Sequence, residues 1–371
     1  MDSIRTFDDR IKFFENACQK DPSSPYVRQH YVRMLARAKQ FNLALSQIEE
    51  GLKIDPEIRV LHHTKGVILS QLAMTTESRD IARRRLAQSE HEFRRCLNMN
   101  NRDEYAYQTL AGLYVDWARQ STDAAEVADY LAKAETVINE GLRLVQAREG
   151  LWIVSSQIQE ILGNTPGYLK ALAKAANSSP TAIIAKYLLG RAYRRSGDPA
   201  NAIKVLKPLI ETQPDEFRAC VEYARAMGEV GEPYAKCIAV LKLSTVYGLG
   251  DPRFVATLAG MLFMNGDFSE AKAIFVESYK REFPAPEATR IQFRPKNPAV
   301  PGEPLRLVGE VVAVKTGYAF IDASGYPSFF CPGSKFGRLV MRPHLRVEFE
   351  PAFTARGAIA DKVQLPPNAI H

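Results

Sequence analysis

Two periodicities divide this chain of 371 residues. Over roughly the first 280 residues, apolar positions recur every three or four residues in segments of a dozen or more, which predicts a succession of amphipathic helices. Prolines punctuate them at a fixed interval: Asp21-Pro22 and Asp55-Pro56 stand 34 residues apart, and so do Pro180 and Pro214. Between 284 and 304 six prolines fall in 21 residues, a density that forbids helix and predicts an extended, semi-stiff connection. Beyond it the period drops to two. The stretches LRLVGEVVAVK, YAFIDA, PSFFCP and LRVEFEPAF alternate or run with β-branched and aromatic residues, broken by Gly-Tyr-Pro and Pro-Gly turns. Five short strands in about 65 residues predict a small closed or partly closed barrel, an arrangement without exposed edges.

The interval of 34 organises the helical part. Residues 183–216 put Gly190 at a small position of a first helix and Tyr193 at an aromatic one. Ala202 then opens the second helix and Pro214 closes it. Residues 25–58 repeat this with Ala44, Ile48, Gly51 and Pro56, and residues 149–182 with Trp152, Leu172, Ala175 and Pro180. The pattern resembles tetratricopeptide (TPR) arrays. Two antiparallel helices need small residues where their backbones approach, and a proline where the second must stop. Two copies, running on from Gly66 and from Gly112, carry roughly ten extra residues each, and these read as helix extensions. Residues 217–250 and 252–283 are degenerate copies, the latter with Ala271, Phe275 and the turn Asn265-Gly266-Asp267, and 6–22 reads as an unpaired opening helix. The expectation is an all-α superhelix of about seven repeats over 1–283, a proline-rich linker over 284–304 and a five-stranded all-β barrel over 305–371.

Residues 307–365 carry a second resemblance, to the cold-shock type of OB-fold. The run Thr316-Gly317-Tyr318-Ala319-Phe320-Ile321 is similar to that family's first RNP motif, and Ser328-Phe329-Phe330-Cys331 to its second. The closing VEFEPAFTARGAIADKV resembles its last strands. The resemblance implies a surface on which single-stranded RNA or DNA stacks. Alternation places Tyr318 and Phe320 on one strand face, and bases stack on such rings whatever their sequence. The motifs depart from the family in three places: Thr316 occupies a lysine position beside Lys315, VVAVK lacks the usual tryptophan, and Cys331 replaces a histidine. Phe329 and Phe330 cannot both face outward, and Phe329 is expected to do so. The expected nucleic-acid-binding residues are Lys315, Tyr318, Phe320, Phe329, Lys335 and Arg338.

Composition narrows the chemistry. With 46% hydrophobic and 25% charged residues the chain is ordinary for a globular protein, and no apolar run approaches the roughly 20 residues of a membrane span. The start, MDSIRTFDDRIKFF, shows no basic segment leading into an apolar one. Cysteines 18, 96, 220, 237 and 331 are scattered and never spaced CxxC, which predicts free thiols and a reducing, cytoplasmic setting. There is no phosphate-loop motif, no complete GxGxxG, no HExxH and no GxSxG. His62 and His63, adjacent on a helix, point about 100° apart and cannot share a metal. No catalytic residue, cofactor or metal is expected.

Charge adds two candidate surfaces. Lys and Arg number 49 against 42 Asp and Glu, a net of +7. From residue 282 onward there are 11 against 8, so the barrel end is more basic per residue than the array. The TPR resemblance implies that first helices line a concave groove, where Arg33, Arg191, Arg194, Arg218 and Arg225 fall, with Asp116, Gln157 and Glu160 between them. Forked guanidinium groups there would hold an acidic or carboxylate-bearing segment of a protein partner. On the helix expected over 78–99, Arg84 and Arg95 share a face three turns apart, with Arg83 and Arg94 beside them, a stripe suited to tracking phosphates. A TPR array followed by an OB-like barrel also resembles the C-terminal part of STAND-type NTPases of antiviral defence, a likeness shared by VLHHTKGVILSQLA and NRDEYAYQTLAGLYVDWA. The expected function is non-catalytic recognition: a protein partner in the groove and single-stranded nucleic acid on the barrel, as a sensor or regulator. The alternatives are a pure protein adaptor with a structural barrel, and an enzyme whose site is assembled unrecognisably.

Overall fold

The structure is a computed structural model, and it describes residues 7–297, 299–300 and 303–367. It falls into two compact units, residues 1–182 and 183–371. The first opens with α1 (Phe7–Lys20) and continues as four helix pairs. These are α2 (Pro25–Arg37) with α3 (Phe41–Ile54), α4 (Arg59–Met74) with α5 (Arg79–Met99), α6 (Glu104–Gln120) with α7 (Ala124–Leu144), and α8 (Glu149–Ile161) with α9 (Thr165–Ala176). The prolines act as expected, since Pro22, Pro56 and Pro180 each follow a helix end by two to four residues. The extra residues of the middle pairs do lengthen helices: α5 and α7 reach 21 residues each.

Small residues mark where helices touch. A Cβ at Gly66 of α4 would lie 2.6 Å from the Phe93 ring of α5, so glycine is what lets these two helices close. Polar groups buried here are satisfied. Arg28 of α2 donates to the Gln47 carbonyl at 3.3 Å, to Gln47 Oε1 at 3.0 Å and to the Pro22 carbonyl at 2.9 Å. His62 Nδ1 lies 2.6 Å from the buried carboxylate of Glu92, and its Nε2 lies 2.9 Å from the Pro56 carbonyl. Lys65 completes this group, 3.1 Å from Glu92. His62 is thus a packed histidine, while His63 lies on the neighbouring face near Thr109.

The second unit contains three further pairs: α10 (Ile183–Arg195) with α11 (Pro199–Thr212), α12 (Phe217–Glu229) with α13 (Tyr234–Lys242), and, after the short α14 (Thr245–Gly248), α15 (Pro252–Asn265) with α16 (Phe268–Tyr279). Seven pairs are therefore present among the described residues. Gly190 is the close-approach residue of α10, where an added Cβ would collide with the Leu206 side chain of α11. The αL conformation of Gly266, φ +91°, turns the chain from α15 into α16.

The strands are β1 (Leu307–Lys315), β2 (Tyr318–Ala323), β3 (Phe329–Pro332), β4 (Arg346–Thr354) and β5 (Gly357–Gln364), with a 3₁₀ turn over Gly333–Phe336. They close in the order β1-β2-β3-β5-β4. All pairings are antiparallel except β3 with β5, which run parallel and meet at Phe330 and Ile359. A register shift between Val311 and Ala313 bends β1, as bulges do where a sheet must curve. Phe329, Phe336, Phe349 and Phe353 fill the interior.

The proline-rich segment differs from expectation. Residues Ala285–Thr289 form a short helix, α17. Pro284 caps it and Pro286 lies in its first turn, where a missing N–H sacrifices no hydrogen bond. The residues after it form a strap against the barrel. Phe293 is buried and exchanges backbone hydrogen bonds with Phe353 of β4. Arg294 pairs with Asp361 and Glu350, and Arg306 with Glu348 and Glu350, all on β4 and β5. The barrel also packs on α15, whose residues from Phe254 to Phe263 are all buried.

Candidate functional site

Strand alternation on β2 and β3 builds the site. Ala319, Ile321, Phe329 and Cys331 point into the barrel, and Tyr318, Phe320 and Phe330 point away from it. This corrects the sequence expectation for the two phenylalanines. Phe329 is fully buried, edge-on to Phe349 at 5.0 Å between centroids, whereas Phe330 is 38% exposed. The register explains it: Phe330 stands opposite Phe320, and Phe329 opposite the buried Ile321. The three outer rings form a continuous patch, with centroids 5.8, 5.3 and 6.0 Å apart around the triangle. Phe320 and Phe330 border a cavity of about 1100 Å³ whose other walls include Tyr279, Pro332, Arg356 and Ile359.

Cations flank the patch. Lys315 is exposed at the end of β1 and stands opposite Tyr318 in the ladder. Lys335 lines the cavity but is held 2.8 Å from the Asp361 carboxylate. Burial would raise the Asp361 carboxyl, but hydrogen bonds from Lys335 and Arg294 hold it below its ordinary value. Arg338 is exposed in the turn that follows Phe336. Arg290 and Arg356, not singled out from sequence, also line the cavity. Arg356 is engaged in the architecture: it donates to the Ser278 and Arg281 carbonyls and lies over the Tyr279 ring. The alternation that exposes Phe330 was the available signal for it; Arg356 and Tyr279 had none, being 77 residues apart in sequence.

The arginines expected to line a groove are mostly engaged within the protein. Arg194 lies 2.6 Å from Glu222 and 2.8 Å from Glu229. Arg218 forks onto Glu216 at 2.7 and 3.0 Å. Arg225 donates to Thr257 Oγ1 and to the Gln292 carbonyl. Arg191 is half-buried on α10. Arg33, in the first unit, is exposed beside a cavity that it shares with Arg59, His63, Asp103 and Tyr105. The basic face of α5 is likewise interleaved with acids. Arg83 pairs with Glu126, Arg94 with Glu90 and Arg95 with Glu57, while Arg84 is exposed.

Among the described residues no cluster of three or more His, Cys, Asp and Glu could hold a metal, and no helix is long and apolar enough to cross a membrane. All five cysteines are free and buried.

A tetratricopeptide repeat family model matches residues 183–226, which span α10 to most of α12. No curated protein matches the chain. Among solved structures, it is similar to TTC0263, a thermophilic TPR protein of Thermus thermophilus, at 18% identity over 55% of this chain and 99% of that one, TM-score 0.43. It is also similar to a tetratricopeptide repeat protein of Parabacteroides merdae, at 13% identity over 64% and 92%, TM-score 0.37. A third is YrrB, a TPR protein with an unusual peptide-binding site, at 14% identity over 56% and 96%, TM-score 0.31. The fold is a TPR-like helical array followed by a small five-stranded barrel.

Proposed function

We propose that the protein is a non-catalytic recognition module whose barrel is an OB-type fold that binds single-stranded nucleic acid, and whose array binds a protein partner. The observation that carries the barrel reading is the outward triangle of Tyr318, Phe320 and Phe330 beside an open cavity. Strands β2 and β3 are the face on which OB-folds receive oligonucleotides, and three rings at this spacing suit successive bases. Lys315, Arg338 and the cavity-lining Arg290 are exposed cations available to the backbone phosphates. The internal pairing of Arg194 and Arg218 favours Arg33 and its cavity as the groove contact for a protein partner. In this reading the STAND-like order of array and barrel makes the chain a sensor or regulator of a defence system.

Fluorescence anisotropy with labelled ten-nucleotide homopolymers of RNA and DNA at low salt tests the barrel. Stacking contributes about 1–3 kcal/mol per base, so Tyr318→Ala combined with Phe330→Ala should weaken binding at least tenfold. Absence of binding by the unaltered protein, or equal binding by the double variant, would leave the barrel structural and the chain a pure protein adaptor.

A further inference from the structure

A second cavity, of about 260 Å³, lies where α10, α12, α15 and the strap converge. Its walls carry Arg194, Arg225, Arg294 and Lys296, with Glu229 as the acidic member. Two of the arginines have carboxylate partners: Arg194 has Glu222 and Glu229, and Arg294 has Glu350 and Asp361. Arg225 is different. Its hydrogen bonds run to Thr257 Oγ1 and to the Gln292 carbonyl, both neutral, and it forms no ion pair with a carboxylate among the described residues. Glu222 and Glu229 attract it through space but do not touch it, and a guanidinium withdrawn from water with no carboxylate in contact is stabilised where an anion supplies that contact.

We propose that this cavity binds a phosphate-type oxyanion, either free phosphate or the phosphate group of a small ester, with Arg225 as the central ligand and Lys296 at its rim. Three features select that chemistry. The volume is too small for a helix or a folded partner. The cations come from α10, α12 and the strap, so they approach from several sides, which matches four tetrahedral oxygens better than the two coplanar oxygens of a carboxylate. The Arg225 charge is also under-compensated: burial, with repulsion from Arg194 and Arg253, outweighs the attraction of Glu222 and Glu229 and draws its pKa down to about 10. This site is independent of the aromatic face of the barrel.

The test is calorimetric titration of the full chain with inorganic phosphate, with adenosine monophosphate and, as a control, with acetate. Phosphate should bind, and Arg225→Gln and Lys296→Glu should each weaken it tenfold or more. Arg225 also holds the strap, so a melting curve must show that Arg225→Gln is folded; Lys296→Glu, at the half-buried rim, keeps the test decisive if it is not. Tighter binding of the nucleotide than of phosphate identifies an ester as the natural occupant, and equal binding identifies free phosphate. No heat from either phosphate compound, equal binding by acetate, or unchanged affinity in Lys296→Glu overturns the proposal. Oligonucleotide binding through Tyr318 and Phe330 is read separately and can fail or succeed without affecting this result.

Discussion

Phe263 of α15 stands edge-on to Phe329 of β3, with 5.3 Å between ring centroids and 67° between planes. One residue belongs to the last helix pair and the other to the interior of the barrel, so helices and barrel share a core. Removing the Phe263 ring should cost about 3–5 kcal/mol, as large-to-small core changes do. Hydrogen exchange on Phe263→Ala should show barrel amides and α15 amides losing protection together. Barrel amides that keep their full protection while α15 opens would show two separate cores.

Two glycines make a paired test of packing. Gly190→Ala forces a Cβ into the Leu206 side chain, an overpacking expected to cost about 1–3 kcal/mol. Gly112 on α6 has nothing within 4 Å of the same position. There alanine should add about 0.5–1 kcal/mol through its better helix propensity. Urea midpoints of the two variants should move in opposite directions, and movement the same way would contradict the helix contacts described.

Acid should loosen the strap. Lys335 and Arg294 hold the Asp361 carboxyl below its ordinary value of 3.8 despite burial. A carboxyl depressed in the folded state stabilises above its unfolded pKa, and that contribution disappears as pH falls through the lower, folded value. Stability of the second unit should therefore decline below about pH 4. In Asp361→Asn the decline should be shallower, after a loss of about 1–3 kcal/mol at neutral pH from the cations left unpaired. Thermal melts at pH 7 and pH 3 measure both, and an unaltered slope would remove Asp361 from the cause.

Salt offers a separate handle on Lys315. Each phosphate contact to a single strand contributes about 0.7 to the slope of log K against log salt. Lys315→Ala should flatten the slope for oligonucleotide binding by about that amount while leaving the preference among bases unchanged. A slope identical to that of the unaltered protein would place Lys315 outside the phosphate path.

Sequence reading recovered what depends on local periodicity. The interval of 34 residues, with glycine or alanine at contacts and proline after several of the pairs, revealed the helix pairs because each pair obeys packing rules confined to its own residues. Alternation revealed β2 and its outward Tyr318 and Phe320 for the same reason. It failed at Phe329-Phe330, where adjacent identical residues give no phase; only the ladder to β2 decides it. It failed more widely for charge. Arg194 finds its partners 28 and 35 residues away, and Arg225 finds the Gln292 carbonyl 67 residues away. A lone arginine looks the same in sequence whether it awaits a ligand or is already satisfied. The strap is hidden because prolines forbid a helix interior but not a first turn, and because Phe293 pairs with a strand 60 residues later.

The unbroken burial of α15 from Phe254 to Phe263 has a consequence for synthesis. As the chain leaves the ribosome, the preceding pairs can close on neighbours already made, but one side of α15 must wait for strands that have not yet been translated. Until β3 and β4 arrive, Phe263 and the surface around Gly260, which will receive Phe293 and Phe353, face water. That interval is when the nascent protein is most exposed to chaperones and to misassociation, so a ribosome pausing between residues 280 and 345 would strand it in its stickiest form.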